Sequence, residues 1–509
     1  MKKPALTRPV RLDCIPNSSF EIRNSKFNRI SRVSFSSALL TDLYQLTMAY
    51  GYWKSGKDRD DAVFHLYFRE NPFEGGYTIA AGLEEAVRYL ESLRFQNDDL
   101  RFLATVRGND DRPLFPDDFL AHLAALKFAL DVDAVPEGTV VFPQEPLVRV
   151  GGPILQAQIV ETALLNMINF QSLIATKAAR VVYAAKGDPV IDFGLRRAQG
   201  VDGALAASRA TYIGGCVATS NVLAGATYDI PVKGTHAHSW VQAFPSELQA
   251  FDTYAEVMPN NCLLLVDTYN TFEGIKHAIE VGRKLRARGH ELIGIRLDSG
   301  DLAYLSIEAR KMLDAAGFEN AAIAASNELD EHLITSLKDQ GARIDLWGVG
   351  TRLITAFDQP ALGGVYKLSA LRPHGGEWEY RIKVSEQAIK TSNPGMLQVR
   401  RFDDADMIFD ELAGDPTHVI VDPLDLTRRR SVPDGARYED LLVPIFRKGK
   451  RVYELPSIEE IRKRRASQLD RFHPGIKRFV NPHRYPVGLE RHLFDLKTRL
   501  VLEARGTPA

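Results

Sequence analysis

Short apolar segments alternate with amphipathic helical segments between residues 189 and 368, and this rhythm limits the fold more than any other feature of the chain. Strands that alternate with helices form parallel βαβ units. We therefore predict an α/β fold, namely an irregular (β/α) barrel of about seven parallel strands. An open doubly wound sheet is the alternative. The predicted strands are residues 189–193, 231–234, 262–266, 292–297, 321–325, 346–349 and 365–368.

The length of the chain predicts more than one domain. A chain of 509 residues exceeds what one hydrophobic core usually holds. We predict a basic, solvated and partly disordered extension over residues 1–37, an N-terminal α+β domain over 38–155, the barrel over 156–394, and a C-terminal region over 395–509 that packs on the others. The arginines, lysines and serines of the extension would also suit a transit peptide.

Composition excludes several classes of protein. A net charge of -1 provides no general attraction to nucleic acid or to a membrane surface. No apolar run approaches the roughly 20 residues that a membrane span needs. Three widely spaced cysteines argue against a disulfide framework and for a reducing, cytoplasmic location. The basic run 462–465 is more typical of a solvated helix face than of a nucleic-acid site.

Polar and charged residues recur where the predicted strands end. In parallel α/β folds the carboxyl ends of the strands lie on one side of the sheet and form the ligand site. Helix capping would explain Asp301 but not the repeated arginines at this edge. The candidates in chain order are Asp192, Arg196, Arg197, Thr235, His238, Asp267, Thr268, Arg296, Asp298, Ser299, Ser326, Asn327, Gly350, Thr351 and Lys367.

Several of these candidates suit anionic ligands. The sequence Gly-Val-Gly-Thr at 348–351 brings backbone amides close to an anion at a strand end, which predicts a phosphate cradle. Arg196 and Arg197 can bind carboxylates or phosphates through paired hydrogen bonds. Arg296 could hold an anion, while Asp298 could orient a ribose hydroxyl or a hydrated Mg²⁺.

Two histidines, His236 and His238, follow Gly234-Thr235 and leave two possibilities open. If the segment stays extended, both rings share a face, as in a metal pair. A metal-dependent barrel hydrolase would use that pair, with Asp298 as a third ligand. If the extended geometry breaks at Gly234, one histidine can act alone as a nucleophile or an acid/base.

Seven ordered motifs together resemble the nicotinate phosphoribosyltransferase family, from about residue 38 to 368. They are Thr-Asp-Leu-Tyr-Gln-Leu-Thr-Met at 41–48, Phe-Gly-Leu-Arg-Arg-Ala-Gln-Gly at 193–200, Gly-Thr-His-Ala-His-Ser at 234–239, Val-Asp-Thr-Tyr at 266–269, Arg-Leu-Asp-Ser-Gly-Asp-Leu at 296–302, Gly-Val-Gly-Thr at 348–351 and Gly-Gly-Val-Tyr-Lys-Leu at 363–368. A series of this length is far more specific than one short motif.

The resemblance implies a reaction and its partners. Nicotinate and 5-phosphoribosyl 1-diphosphate give nicotinate mononucleotide and diphosphate in NAD biosynthesis, and ATP hydrolysis is coupled through a phosphohistidine. Mg²⁺ is implied as a cofactor. The active site is expected to be shared across a homodimer. A related pyridine acceptor, such as nicotinamide or quinolinate, is the near alternative.

The resemblance also implies individual roles. His238 matches the phosphorylated histidine, whereas His236 occupies a variable position of the motif and is not expected to be catalytic. Tyr44 would cover the nicotinate ring, and in a shared site it could serve the partner. The motifs also imply that Thr235 and Arg296 contact nicotinate, that Ser239 binds substrate and that Thr351 contacts phosphate.

Elementary chemistry agrees with this assignment. Displacing diphosphate from a ribose needs cations and amides for the leaving group and no strong base for a pyridine nitrogen. Arginines 196, 197 and 296, Lys367 and the 350–351 amides could supply the first requirement. Asp267 and Asp298 could orient ribose or Mg²⁺, and Asp267 is the candidate that would fix the tautomer of His238.

Overall fold

The computed structural model describes residues 38–425 and 427–506, so the predicted extension over 1–37 lies outside the described residues. The architecture is mixed α/β. At its centre lies a six-stranded sheet in which every neighbouring pair is parallel. The strands lie in the order Ala218–Thr219, Val190–Asp192, Leu346–Val349, Ala322–Ala325, Gly294–Leu297 and Leu263–Leu265.

Five of the seven predicted strands occupy this sheet, and two do not. Residues 231–234 form only an isolated parallel bridge, from Val232 to Thr219. The strand Ala218–Thr219 was not predicted, because two residues carry no periodic signal. Backbone ladders do not join the two end strands among the described residues, so the parallel sheet has six strands where the sequence predicts about seven.

The seventh predicted strand belongs to another sheet, which corrects the prediction. Val365–Arg372 pairs antiparallel with Asp61–Tyr67, and Lys367 lies opposite His65. The connection from the sixth parallel strand, residues 350–364, holds only one short helix, Thr351–Ile354. A parallel crossover usually carries a longer helix that covers the sheet. Apolar alternation alone could not distinguish the two pairings.

Helices cover the parallel sheet. Their apolar faces meet a core that contains Leu264, Ile295, Ile323, Trp347 and Val349, all fully buried. The sequence-predicted capping role of one aspartate is confirmed, because Asp301 Oδ1 accepts the N–H of Tyr304 at 3.0 Å. The helices are Glu161–Ala184, Val201–Gly214, Val222–Tyr228, His238–Gln242, Glu247–Val257, Thr271–Ala287, Leu302–Ala315, Glu331–Asp339 and Thr351–Ile354.

A seven-stranded antiparallel sheet lies beside the parallel one. Its order is Glu379–Tyr380, Val365–Arg372, Asp61–Tyr67, Val148–Pro153, Asp131–Ala134, Val443–Arg447 and Lys450–Arg451. A two-stranded sheet pairs Thr78–Ile79 with Val140–Val141. Asp42 caps the first helix through a capping box with Gln45. The helices of this part are Leu43–Lys54, Leu83–Ser92, Asn97–Leu103, Asp117–Ala125 and Ile154–Ile159.

The C-terminal part forms a third sheet of six strands. Its order is Arg429–Ser431, Val419–Val421, Val487–Glu490, Asp406–Asp410, Leu397–Arg401 and Glu439–Asp440. Two helices accompany it, Ile458–Arg471 and Arg491–Ala504. No helix among the described residues is long and apolar enough to cross a membrane.

The basic run on the helix Ile458–Arg471 is not a solvated face, which corrects that prediction. Arg462 donates to the carbonyls of Tyr212 and Cys216, the second at 2.6 Å, and Arg465 donates to Ile213 at 3.3 Å. The acceptors Tyr212 and Ile213 are among the last residues of the helix Val201–Gly214, whose carbonyls have no further turn to bond. The arginines therefore cap a helix that supports the candidate site.

Candidate active site

The ring of His238 meets two side chains that follow different strands of the parallel sheet. Its Nδ1 lies 3.1 Å from Thr268 Oγ1, and its Nε2 lies 3.6 Å from Asp298 Oδ2. Thr268 follows the end strand Leu263–Leu265, and Asp298 follows Gly294–Leu297. The imidazole is partly exposed, so a ligand can reach a ring whose orientation is set from both sides.

Asp267 does not fix the tautomer of His238, contrary to the prediction. Its Oδ2 accepts the backbone N–H of Asp298 at 2.8 Å and the hydroxyl of Ser299 at 2.7 Å. Its role in this geometry is to hold the segment that carries Asp298. Thr268 and Ser326 were predicted only as strand-end residues, yet Thr268 contacts His238 and Ser326 donates to Asp298. Their side chains bond across strands, and local sequence contains no signal for such pairing.

Arg296 and Thr235 meet at the same edge. The guanidinium donates a hydrogen bond to Thr235 Oγ1, while its buried Nε has no hydrogen-bond partner among the described residues. Burial lowers the pKa of Arg296, and the carboxylates of Asp298 and Asp267 partly oppose that shift. An arginine stays protonated at neutral pH. A partly exposed guanidinium with an unused donor is suited to a carboxylate ligand.

A buried aspartate positions the arginine-rich turn Leu195–Arg197. Asp192 Oδ1 accepts the N–H of Gly194 at 2.7 Å, and its Oδ2 accepts the hydroxyls of Ser208 and Thr219 at 2.9 and 2.8 Å. Full burial raises the pKa of Asp192, and these hydrogen bonds oppose the shift. Arg196 and Arg197 are exposed at the carboxyl end of the strand Val190–Asp192.

The turn lies next to the predicted phosphate cradle. Phe193 donates its N–H to the carbonyl of Val349 at 2.9 Å. A side chain at Gly348 would approach the ring of Phe193 to 2.5 Å, so this glycine permits the close contact. Gly350 precedes the helix Thr351–Ile354, and Thr351 donates to Glu328 Oε1 at 3.2 Å. Cationic side chains and the start of a short helix thus flank one strand pair.

Tyr44 and Lys367 lie elsewhere, near Glu161. Tyr44 is 47% exposed on the helix Leu43–Lys54, and Lys367 lies on the antiparallel sheet. Burial raises the pKa of Tyr44, as does the charge of Glu161. Burial lowers the pKa of Lys367, and Glu161 opposes this shift. The sequence analysis did not identify Glu161, whose position at the start of a long helix resembles an ordinary first-turn acid.

The two histidines do not form a pair. His236 is buried, and its Nε2 accepts the backbone N–H of Leu265 at 3.2 Å, whereas His238 faces Thr268 and Asp298. Ser239 is exposed and directly follows His238 in the helix His238–Gln242. No group of three or more histidine, cysteine or acidic residues in the described ranges is arranged to hold a metal ion. This geometry lends no support to the metal-dependent hydrolase.

Comparison with known proteins covers most of the chain. Models of the nicotinate phosphoribosyltransferase N-terminal domain, family and C-terminal domain match residues 39–169, 189–396 and 403–497. A nicotinate phosphoribosyltransferase of Bacillus subtilis (strain 168) is 44% identical over 481 residues, which cover 92% of this chain and 96% of that protein. The human nicotinate phosphoribosyltransferase is 36% identical over 531 residues, with 91% and 96% covered.

A solved structure agrees with the sequence comparisons. The crystal structure of human nicotinic acid phosphoribosyltransferase matches with a TM-score of 0.79 and 33% identity, covering 90% of this chain and 99% of that one. The chain is therefore an enzyme that belongs to the nicotinate phosphoribosyltransferase family.

Proposed function

We propose that this enzyme transfers the phosphoribosyl group of 5-phosphoribosyl 1-diphosphate to nicotinate, and that it couples the transfer to ATP hydrolysis through transient phosphorylation of His238. The observation that carries the proposal is the partly exposed ring of His238, oriented by Thr268 and Asp298 beside Arg296. The product would be nicotinate mononucleotide, for NAD synthesis by salvage.

His238 is suited to accept a phosphoryl group. If Nδ1–H donates to Thr268 Oγ1, the lone pair remains on Nε2, which is the nucleophilic nitrogen. In the proposed step an Nε2–P bond forms, the bond from the γ-phosphorus of ATP to the bridging oxygen breaks, and ADP leaves. Water later cleaves the N–P bond and releases phosphate.

Arg296 and Thr235 are the proposed nicotinate contacts. A carboxylate can accept from the guanidinium N–H groups that protein groups leave free. The pyridine nitrogen already has a lone pair, so attack on the ribose needs no general base. Nicotinamide has no charge for Arg296 to bind, and quinolinate carries a second carboxylate, so we favour nicotinate over both.

The diphosphate leaving group would lie between Arg196, Arg197 and the amides at Gly350 and Thr351. Fixed cations and amides stabilise the charge that develops on the leaving group. Mg²⁺ takes few carboxylates and keeps several waters. The partly exposed Asp298 fits that preference and would hold such an ion, while the buried Oδ1 of Asp267 has no hydrogen-bond partner in the described part of the chain. A bound Mg²⁺ would neutralise phosphate charge.

We further propose a homodimer that shares its active sites. Tyr44 lies on a helix whose face also exposes Leu43 and Met48, which is more apolar surface than a solvated helix usually presents. A second copy that covered this face would bring Tyr44 and Lys367 to the strand-end site of its partner. Buried free thiols at Cys216 and Cys262 support the proposed reducing, cytoplasmic location.

We infer, finally, that the parallel sheet curls into an irregular barrel. The segment after Val232, which bridges one end strand, reaches Leu265 and Thr268 at the other end through side-chain hydrogen bonds. These contacts support closure by side chains in place of a backbone ladder.

A substrate panel tests the proposal. Purified enzyme is assayed with nicotinate, nicotinamide and quinolinate, each with and without ATP, and mononucleotide is measured together with ADP. Nicotinate should be the preferred acceptor, and ATP should raise its turnover with release of ADP. Equal use of nicotinamide, or turnover that ignores ATP, would contradict the acceptor and the coupling respectively.

A further inference from the structure

His236 accepts a hydrogen bond from the outward-facing side of an end strand of the parallel sheet. Its Nε2 lies 3.2 Å from the backbone nitrogen of Leu265, the last residue of an end strand of the parallel sheet. The next N–H, of Val266, points to the inner neighbour and bonds Arg296 O at 3.2 Å. Because N–H groups alternate along a strand, that of Leu265 points outward, and the imidazole occupies the place of a missing ladder partner.

The ring is also packed. It meets Tyr254 edge-on with 4.9 Å between ring centroids and lies 6.0 Å from Phe251, both on the helix Glu247–Val257. Trp240 is anchored to the same helix, since its Nε1 donates to Ala250 O at 3.1 Å. Two fixed side chains, His236 and Trp240, therefore flank His238 in sequence.

The Thr219–Val232 bridge holds the start of this segment, where Thr219 donates its N–H to Pro231 O and Lys233 donates its N–H to Thr219 O, each at 3.0 Å. Within residues 231–239, all of which the structure describes, His236 alone is buried, at 8% exposure. Thr235 precedes it and meets Arg296, and His238 follows two residues later and meets Thr268 and Asp298. Between the bridge and Trp240, both functional side chains therefore lie next to the anchor that His236 provides.

The anchor works only while the ring is neutral, because a protonated imidazole has no acceptor. Burial is the main cause that lowers the pKa of His236 to about 4, and the charges of Arg296 and His238 add to it. The phenol of Tyr254 also faces the ring and carries no charge at neutral pH. The acceptor at Nε2 is therefore retained under physiological conditions.

We propose that His236 is a positioning residue, whose Nε2 fastens the Thr235–His238 segment to the open edge of the sheet and thereby aligns Thr235 with Arg296 and His238 with Asp298. The proposal rests on the proposed roles of His238 and Arg296. It assigns to His236 neither metal binding nor phosphorylation.

Two variants separate the hydrogen bond from the packing. His236→Phe keeps an aromatic ring against Tyr254 but removes the acceptor, whereas His236→Gln places Oε1 close to the position of Nε2. Because small displacements of reacting groups lower rates steeply, we expect His236→Phe to lower phosphoryl incorporation from ATP and to raise the KM for nicotinate, each about tenfold or more. His236→Gln should remain within about threefold of the wild type in both. His290→Gln, at a partly exposed histidine hydrogen-bonded to Asn260, is the control.

Hydrogen–deuterium exchange supplies a readout that is independent of activity. The amide of Leu265 should exchange faster in His236→Phe than in wild type and should stay protected in His236→Gln. Failure of His238→Asn to abolish phosphorylation would overturn the proposed function but would leave this exchange result intact. Unchanged exchange and unchanged KM in His236→Phe would overturn the positioning role. If His236→Phe does not fold, the test depends on His236→Gln. Loss of phosphorylation, or loss of protection of the Leu265 amide, in His236→Gln would contradict the proposal.

Discussion

The Nε2 of His238 lies 3.6 Å from the Oδ2 of Asp298, and this contact joins a segment that follows one end of the parallel sheet to a loop near its other end. The carboxylate can stabilise an imidazolium, but it cannot accept a hydrogen bond from a neutral ring whose Nε2 lone pair is free. A phosphoryl group on Nε2 would face its negative charge. The proposed phosphoryl carrier would therefore need a cation beside Asp298 to offset that charge.

His238→Asn should abolish covalent phosphorylation, because the amide has no nucleophilic ring nitrogen. Incubation with radiolabelled ATP, followed by acid and base treatment, measures acid-labile phosphate. His236→Gln is the matched control, since it alters the other histidine and keeps its acceptor. If acid-labile phosphate persists in His238→Asn and is lost in His236→Gln, the choice of His238 as the phosphoryl carrier is wrong.

Arg296→Ala should weaken nicotinate binding. A charge-assisted contact to a carboxylate is worth about 1.5–3 kcal/mol, which corresponds to an increase of roughly 10- to 150-fold in KM. Arg286→Ala removes an exposed arginine that pairs with Glu291 and should leave KM unchanged. Steady-state kinetics measures the KM for nicotinate in both variants. An equal change in KM in the two variants would exclude Arg296 from the site.

Tyr44→Ala and His238→Asn should complement each other if active sites are shared across a homodimer. Each homodimer alone would lack one required side chain in both sites. Mixed dimers formed after mild dissociation would contain one intact site, so activity should reappear on mixing. A mixture that stays as inactive as its components, although subunits exchange, would contradict the shared site.

The stability of the protein should depend on the protonation of His236. Its folded pKa of about 4 lies below the ordinary value of 6.5, so the unfolded chain binds more protons between these values. The contribution of His236 is therefore complete above pH 6.5 and is lost as pH falls toward 4. Between pH 7.5 and 5 the free energy of unfolding should fall by about 2 kcal/mol on this account. Urea unfolding should show a smaller fall in His236→Gln, and identical pH dependence would contradict it.

Arg462→Ala should destabilise the fold while the KM for nicotinate stays unchanged. The substitution removes donors to Tyr212 O and Cys216 O and a guanidinium 3.8 Å from the Tyr212 ring centroid. We expect a loss of about 2 kcal/mol. Lys463→Ala, at the exposed neighbouring residue, should cost little. A thermal melt beside kinetics tests this prediction, and a normal melting temperature would contradict the capping role.

Most of the central sheet was predictable because its strands are buried and flanked by helices. The strands Gly294–Leu297, Ala322–Ala325 and Leu346–Val349 lie within a few residues of their predicted bounds. The wrong assignment of Val365–Arg372 has a physical reason. Its alternation suits any half-buried strand, and the choice of neighbour depends on the absence of a long helix in residues 350–364, all of which the structure describes, and on the edge of Asp61–Tyr67 that Val365–Arg372 pairs with.

The candidate site was also predictable only in part. Local sequence places Arg196, Thr235, Arg296 and Thr351 at strand ends, because strand and helix periodicities mark where each loop begins. It does not indicate which side chains meet. The partner of His238 is Thr268 and not Asp267, since the backbone beyond Val266 directs the carboxylate toward the amide of Asp298.

The amino-acid sequence by itself determined the α/β class, the edge of the sheet that carries the chemistry and the family motifs, because these depend on periodicity and residue type. Only the tertiary structure decided how the two histidines differ. His236 and His238 are two positions apart and chemically identical, yet one satisfies the buried amide of Leu265 and the other faces Asp298. Hydrogen-bond partners from distant strands create that difference, and they cannot be predicted from the local sequence pattern.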